Sequence, residues 1–312
     1  MTRALRLALL GASMALLGAC STSDGDDGET PPAAESDLAA RRDSDLAVMS
    51  WNLEYFGSAT AGPRNDPLQV ANAATVIDRM RPDILGLLEI MDAKRFAELK
   101  AKLPAYDAVT ADDPRVLGGA AAFASTAMRP AFAVRRDRVS IRSAKVVPEI
   151  DPGRPLLEVA VTATYSGRTF DLTVVVLHFY PFAEAGAWYR RRDSADRLKK
   201  WLDTNHPSDP VAVIGDFNDD VDDSIIDGWR TPYAQLRDDA AHYRFTTQGL
   251  SVAKVGTTVD WPATIDHHLV TNELAARYVA YSAWVERPVY IADYRATTSD
   301  HYPVMTRYTL AW

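Results

Sequence analysis

The chain has 312 residues, 47% of them hydrophobic and 24% charged, a balance that excludes a chain too polar to bury a large core. Its formal net charge of −8 disfavours broad electrostatic attraction to nucleic acid, while leaving a local basic patch open. Cys20 is the only cysteine, which excludes a disulfide framework and a thiolate metal site.

In chain order, Arg3 and Arg6 come first. The run Leu7 to Leu17 is apolar but too short to span a bilayer, and it closes on Leu17-Gly18-Ala19-Cys20. A basic start, a short apolar run and small residues form a secretory signal. The ending LGAC resembles the lipobox of bacterial lipoproteins, which implies that Cys20 carries a diacylglycerol and becomes the mature N-terminus. Residues 1–19 are then the signal peptide. Their loss removes Arg3 and Arg6 and leaves 32 cations against 42 anions, a charge of −10. Residues 20–43, from the lipidated cysteine onward, are rich in Ser, Asp, Gly, Pro and Ala and are read as a disordered tether. Ser21 is not acidic, which leans the expected anchorage in the bacterial cell envelope toward the outer membrane, facing periplasm or exterior.

Residues 44–312 show no second linker or repeat and are read as one layered α/β domain. LAVMSWNLEYF has strand character. Asp66 and Pro67 offer an N-cap and a first-turn proline to a helix carrying Val70, Ala73, Ala74, Ile77 and Met80 at helical spacing. Arg81-Pro82-Asp83 ends that helix, ILGLLEI reads as a buried strand, and Asp92 caps a second helix through Lys102. LLEVAVTATY and RTFDLTVVVLHF form a hairpin across Ser166-Gly167. An Arg-rich amphipathic helix over about Trp188 to Leu202 follows, then VAVIGDFN. Further strands are expected near TIDHHLVT, RYVAYSAWV and YPVMTRYTL. Many strands with few helices predict sheet packed on sheet with helices outside.

Five strand ends carry polar residues able to chelate or transfer a proton. The period of two places Asn52 and Glu54 on one face, and likewise Asp216 and Asn218. Glu89 follows ILGLL, His178 follows VVVL, and Ser299-Asp300-His301 precedes the last strand. Oxygen donors favour Mg²⁺, Mn²⁺ or Ca²⁺, and histidine transfers protons near neutral pH. Competing motifs fail. An EF-hand starting at Asp216 would need Gly where Val221 stands and Glu where Asp227 stands. The adjacent Ser299, Asp300 and His301 cannot form a hydrolase relay, and HExxH, GxSxG and P-loop motifs are missing.

The ordered set SWNLE, LLE, GRP, VLH, GDFN, ID and SDHYPV resembles the endonuclease/exonuclease/phosphatase superfamily. That group includes deoxyribonuclease I-like nucleases, exonuclease III-like repair enzymes, neutral sphingomyelinases and inositol polyphosphate 5-phosphatases. The resemblance implies a four-layered sandwich, two packed mixed β-sheets flanked by helices, and metal-dependent hydrolysis of phosphodiester or phosphomonoester bonds. It implies Glu89 as the main Mg²⁺ ligand (Mn²⁺ or Ca²⁺ serving in its place), with Asn52, Glu54 and Asp300 assisting. Asp216 and Asn218 would orient the attacking water and the phosphoryl group. His301 would accept a proton or contact the phosphate, with Asp266 fixing an imidazole tautomer. His178 would stabilise the phosphoryl oxygens or protonate the leaving group, and Arg154 would grip a phosphate oxygen.

The expected protein is a monomeric, exported nuclease attached to the membrane through Cys20, with nucleic acid as partner. The alternatives are a phospholipid phosphodiesterase of the neutral sphingomyelinase kind and a non-catalytic surface binding protein. Three departures bear on this. Leu88 stands where repair enzymes carry Gln, no Tyr lies in GGAAAFASTAMRPAFAV, and Tyr180 stands two places after His178 where many relatives have a polar or basic residue. The segment from Phe179 through Arg192 could stack bases, meet lipid headgroups, or simply anchor a helix. His206, His242, His267 and His268 are read as structural.

Overall fold

The computed structural model describes residues 41–124 and 128–311. Cys20, the signal segment and most of the tether lie outside the described residues.

Two mixed sheets form the centre. The first runs β12-β13-β1-β2-β5-β3 and the second β10-β11-β9-β8-β7-β6-β4. In the first sheet, β1 (Asp45–Phe56) lies parallel to β2 (Ile84–Ile90) and antiparallel to β13 (Val304–Thr309). β3 (Tyr106–Thr110), β5 (Arg129–Arg135) and the short β12 (Trp284–Val285) complete it. In the second, β8 (Arg168–His178) lies parallel to β9 (Val211–Asp216), and β11 (Asp266–Thr271) pairs antiparallel with β9. β4 (Val116–Leu117), β6 (Val139–Val147), β7 (Leu156–Tyr165) and β10 (Tyr243–Phe245) fill the remaining places.

The near-continuous apolar character of the central strands has a direct cause: they are covered on both faces. Leu46, Val48, Ile84 and Leu88 point into the space between the sheets, against Val159, Val174, Val176 and Ile214. The alternate residues Met49, Trp51, Leu53, Leu85 and Leu87 point outward. There they meet Val70 and Ile77 of α1 (Asp66–Met80) and Phe96 and Leu99 of α2 (Ala93–Lys102). Val175, Leu177, Val211 and Val213 of the second sheet pack on Ala195, Leu198 and Leu202 of α3 (Ala185–Asn205). Helix, sheet, sheet and helix make the four layers. At Gly86 a Cβ would come within 3.0 Å of Ile214 Cδ1, so the facing sheet packs here against a position without a side chain. Among the described residues no helix is long and apolar enough to cross a membrane.

Two expectations need correction. Asn65, not Asp66, caps α1: its side chain accepts the Leu68 N–H, and Asp66 is the first helical residue. RYVAYSAWV is not a strand over its length. Tyr278 makes one isolated bridge to Tyr308, and only Trp284–Val285 pairs with β13. The intervening chain is held by Ser282, whose hydroxyl donates to the Arg307 carbonyl and accepts the Arg307 N–H, so a side chain replaces the ladder.

His267 and His268 are fully buried. His268 Nε2 lies 3.0 Å from Ser50 Oγ and Nδ1 lies 2.7 Å from Thr306 Oγ1, a bridge between the sheets. Burial, with His267 adding, pushes its pKa down to about 3. A histidine free in the unfolded chain titrates near 6.5. The unfolded state therefore binds the extra proton between these values, and the stability this site confers is complete above pH 6.5 and lost as pH falls toward 3. By pH 5 the loss is about 2 kcal/mol. Urea unfolding at pH 7 and pH 5 should show it, and His268→Gln should lessen the difference by that amount; an unchanged difference would refute this account.

Candidate active site

The polar strand ends meet at one end of the sandwich because the strand registers put them there. His178 pairs with Asp216 across β8 and β9, and Asp216 with Asp266 across β9 and β11. Three adjacent strands thus deliver an imidazole and two carboxylates side by side. On the facing sheet, β1 and β2 supply Asn52 and Glu89.

Regular alternation does not place the other residues, contrary to the sequence expectation. Glu54 and Tyr55 take φ of 45° and 49°, Glu89 61° and Asn218 56°. Each such residue costs on the order of 1–3 kcal/mol and persists where surrounding bonds enforce it. Those bonds are visible. Asn52 Oδ1 accepts the Glu54 N–H at 3.0 Å, and Glu89 Oε2 accepts the Tyr55 N–H at 2.8 Å. Asp216 Oδ1 accepts the Asn218 N–H at 2.8 Å. The strand has already ended at Asp216, so Asn218 does not share its extended face. Its amide donates instead to the Phe179 carbonyl at 2.9 Å.

Asn52 Nδ2 donates to Glu89 Oε1 and to Asp216 Oδ2, both at 3.1 Å. His178 Nε2 lies 3.7 Å from that Glu89 oxygen and 3.6 Å from that Asp216 oxygen. His301 places Nδ1 2.8 Å from Asp266 Oδ2 and Nε2 3.7 Å from Asp216 Oδ2. Arg154 lines a cavity of about 270 Å³ with Glu89 and His178, and its Nη1 is buried without a hydrogen-bond partner. These residues, spread from 52 to 301, form one cleft. Glu54 and Asp300 sit on its flank. Glu54 Oε2 is held by Arg295 at 2.7 Å, and Asp300 Oδ1 lies 4.0 Å from His301 Nε2.

Burial raises the pKa of Asp216 to about 7, with Asp266 adding, against the pull of His301, Asn52 and Asn218. Burial alone would lower His301, but Asp266 and Asp216 outweigh it and hold the imidazole protonated well above its usual range. His178 goes the other way. Burial, then Arg154 and His301, keep it neutral. Glu54 rises to about 7 through burial and Asp300, with Arg295 opposing.

Oxygen donors dominate the cleft, as a hard divalent cation requires. Asp216, Asp266 and His301 bring ligand atoms within 4.8 Å of one another. His301 Nδ1, however, is committed to Asp266 by a short hydrogen bond, so this trio is an acid–imidazole–acid chain. Glu89 and Asp216 fit a cation better. Their oxygens converge on the same Asn52 amide and His178 nitrogen, a crowding of negative charge that a dication relieves.

Sequence reasoning did not single out Arg295, which no motif marks, nor the pairing of Arg191 with Asp219. Fully buried Arg191 bonds Asp219 Oδ2 through Nε at 3.0 Å and Nη2 at 2.7 Å. Its Nη1 donates to the carbonyls of Tyr180 and Phe182. The acidic run behind GDFN was the available signal; its partner, 28 residues upstream, was hidden among three consecutive arginines.

A four-layered sandwich whose sheets open on a cleft of acids, imidazoles and an arginine defines a divalent-metal-dependent phosphoesterase. The chain belongs to the Endonuclease/Exonuclease/phosphatase family, whose profile matches residues 49–301. Among solved structures it is similar to an endonuclease/exonuclease/phosphatase from Bacteroides vulgatus, at 18% identity and a TM-score of 0.61, covering 86% of this chain and 99% of that one. It is also similar to D. rerio TDP2 complexed with a single-strand DNA product, at 16% identity and a TM-score of 0.62, covering 85% and 99%. A mannosyl-6-phosphatase from Bacteroides thetaiotaomicron aligns at 17% identity with a TM-score of 0.57, covering 84% and 98%. These likenesses are of fold. No curated protein matches the sequence significantly.

Proposed function

We propose that the protein is a nuclease, exported and lipid-anchored through Cys20, that hydrolyses phosphodiester bonds of nucleic acid with Mg²⁺. The observation that carries the phosphodiester reading is the unpartnered, buried Arg154 Nη1 in a cavity shared with Glu89 and His178. A buried guanidinium nitrogen left without a partner is costly, and a substrate phosphate would satisfy it. The DNA product in the D. rerio TDP2 structure supports nucleic acid as the substrate class.

Glu89 would hold the cation, with Asn52, Glu54 and Asp300 assisting and Asp216 facing the same point. When bound, the ion neutralises the anionic diester that would otherwise repel an attacking water. The chain's own groups do the rest. Asp216 and Asn218 orient the water. The Asn218 backbone N–H fixes Oδ1 of Asp216 and leaves Oδ2 toward the cleft, beside Asn52, His178 and His301. Asp266 fixes Nδ1–H of His301, so Nε2 is presented to the reacting groups and contacts a phosphoryl oxygen. His178 faces the same oxygens from β8, and Arg154 grips the phosphate from the cavity wall.

The test gives the purified protein DNA, RNA, sphingomyelin and inositol phosphates, with Mg²⁺ and then with EDTA. Nucleic-acid cleavage that EDTA abolishes is the expected result. Choline-phosphate release alone would replace the nuclease by a phospholipid phosphodiesterase, and silence on every substrate would leave a non-catalytic binding protein. In the producing cells, palmitate label should disappear in Cys20→Ser; label that persists would refute the anchor.

A further inference from the structure

After His178 the chain leaves the cleft through Phe179-Tyr180-Pro181-Phe182 and enters α3 at Ala185. Phe179 turns inward and is fully buried, whereas Phe182 is 63% exposed and Tyr189, in the first turns of α3, is 49% exposed. The rings are grouped. Tyr180 and Phe182 meet edge to face at 5.9 Å, and Tyr189 lies 5.1 Å from Trp188 and 6.2 Å from Trp229. Guanidinium groups lie among them, Arg190 4.4 Å from the centre of the Tyr180 ring and Arg192 5.2 Å from that of Tyr189. Arg191 ties the strip down. It bonds the Tyr180 and Phe182 carbonyls and pairs with Asp219, which directly follows Asn218. The strip therefore begins two residues from His178 and is fastened to the segment that carries Asp216 and Asn218.

We propose that this aromatic–arginine strip docks the unpaired bases of a single-stranded polynucleotide whose scissile phosphate lies between His178 and Asp216. The proposal rests on the reading of the cleft as a nuclease and names the form of nucleic acid it takes. Charge complementarity and ring geometry select this occupant. Bases stack on aromatic side chains whatever their sequence, and interleaved arginines meet the phosphates that alternate with them. Duplex DNA offers stacked, paired bases that such rings cannot reach. Aromatics also sit at lipid headgroups, but this strip, with Phe182 and Tyr189 exposed, starts two residues from His178 and is tied by Arg191 to the residue after Asn218, which sets it beside the cleft and favours a strand of the substrate.

The experiment measures anisotropy of a fluorescein-labelled 12-nucleotide oligothymidylate in EDTA, so that binding is read without cleavage. It compares the full-chain wild type with Phe182→Ala/Tyr189→Ala, whose thermal unfolding checks the fold; both side chains are exposed. The variant should bind at least about tenfold more weakly. Equal affinity, no binding by the wild type, or equal binding of a blunt duplex would overturn the proposal. So would loss, in the variant, of binding to phosphatidylglycerol vesicles with oligonucleotide affinity intact, which would assign the strip to lipid. Wild-type turnover of bis(p-nitrophenyl) phosphate with Mg²⁺ tests the cleft separately. Turnover without oligonucleotide binding removes the strip and keeps a phosphodiesterase; ring-dependent binding without turnover keeps the strip and removes the catalytic reading.

Discussion

Asp216→Asn should lower metal-dependent phosphodiester hydrolysis by about 10³-fold or more while making the metal-free fold more stable. Both halves follow from one location. The carboxylate is buried, with Asn52 and the Asn218 N–H donating to it and His178 and His301 close by. Asn has the same shape, so packing survives, and its one oxygen keeps the Asn218 N–H, while its amide nitrogen gives up the hydrogen bond from Asn52. What disappears is the charge that would orient water and help hold a cation. That charge is a burden on the fold. Burial raises the Asp216 pKa to about 7, whereas an unfolded Asp titrates near 3.9. The proton is therefore lost more readily from the unfolded chain, and the destabilisation grows as pH rises from about 4 to 7 and is complete above that. The gain on substitution should be on the order of 1 kcal/mol or more at pH 8 and absent near pH 4. Urea unfolding in EDTA at the two values, beside turnover with Mg²⁺, decides it. Wild-type turnover in the variant would remove Asp216 from the site. A variant less stable at pH 8 would show that His301 makes the charged carboxylate a net support of the fold. Sites that trade stability for chemistry behave in the predicted way.

The same location explains what the sequence could reveal. A buried strand has no use for a terminal Asp or His, so VVVLH and VAVIGD stood out, and their parallel pairing puts His178 beside Asp216. The layered fold was equally legible, because strands covered on both faces read as unbroken apolar runs while the helices carry a spaced stripe. Residues whose placement depends on a bend were not legible. Period-two alternation puts Glu54 beside Asn52 and Asn218 beside Asp216, but left-handed backbone at Glu54 and Asn218 redirects both. No local propensity announces such a conformation in Glu; it is enforced by bonds from Asn52 and Glu89, made only once the sheets assemble. Strands β3 and β6 are illegible for a related reason. YDAVT and VSIRSAKVV mix polar and apolar residues as a solvated segment does, and the sheet recruits them through neighbours distant in sequence. Arg295 belongs to the same class: its partners Glu54 and Asp260 are brought to it by the fold.

Arg191 carries the second large effect. Removing one member of a fully buried ion pair leaves the other desolvated and uncompensated, which costs about 3–5 kcal/mol. Arg191→Met should therefore destabilise the protein by that amount. Asp219 then retains the Ile225 N–H at 2.7 Å and the Ser224 hydroxyl at 3.1 Å as donors but loses its cation. Changing Asp219 to Asn in the same chain removes the stranded charge and should recover part of the loss. Activity should not recover with it, because the guanidinium also spans to the Tyr180 and Phe182 carbonyls and thereby fixes the chain on either side of the cleft. Arg191→Lys separates these roles. An ammonium can pair with Asp219, but it lacks the planar fork that reaches a carboxylate and two carbonyls at once. Its stability should lie nearer the wild type, with kcat reduced and KM for a small diester little changed. If Lys restores both stability and kcat in full, Arg191 serves only as a counter-ion. If it restores stability alone, the fork positions the segments that bear His178 and Asn218, and the reaction depends on a residue that never meets the substrate.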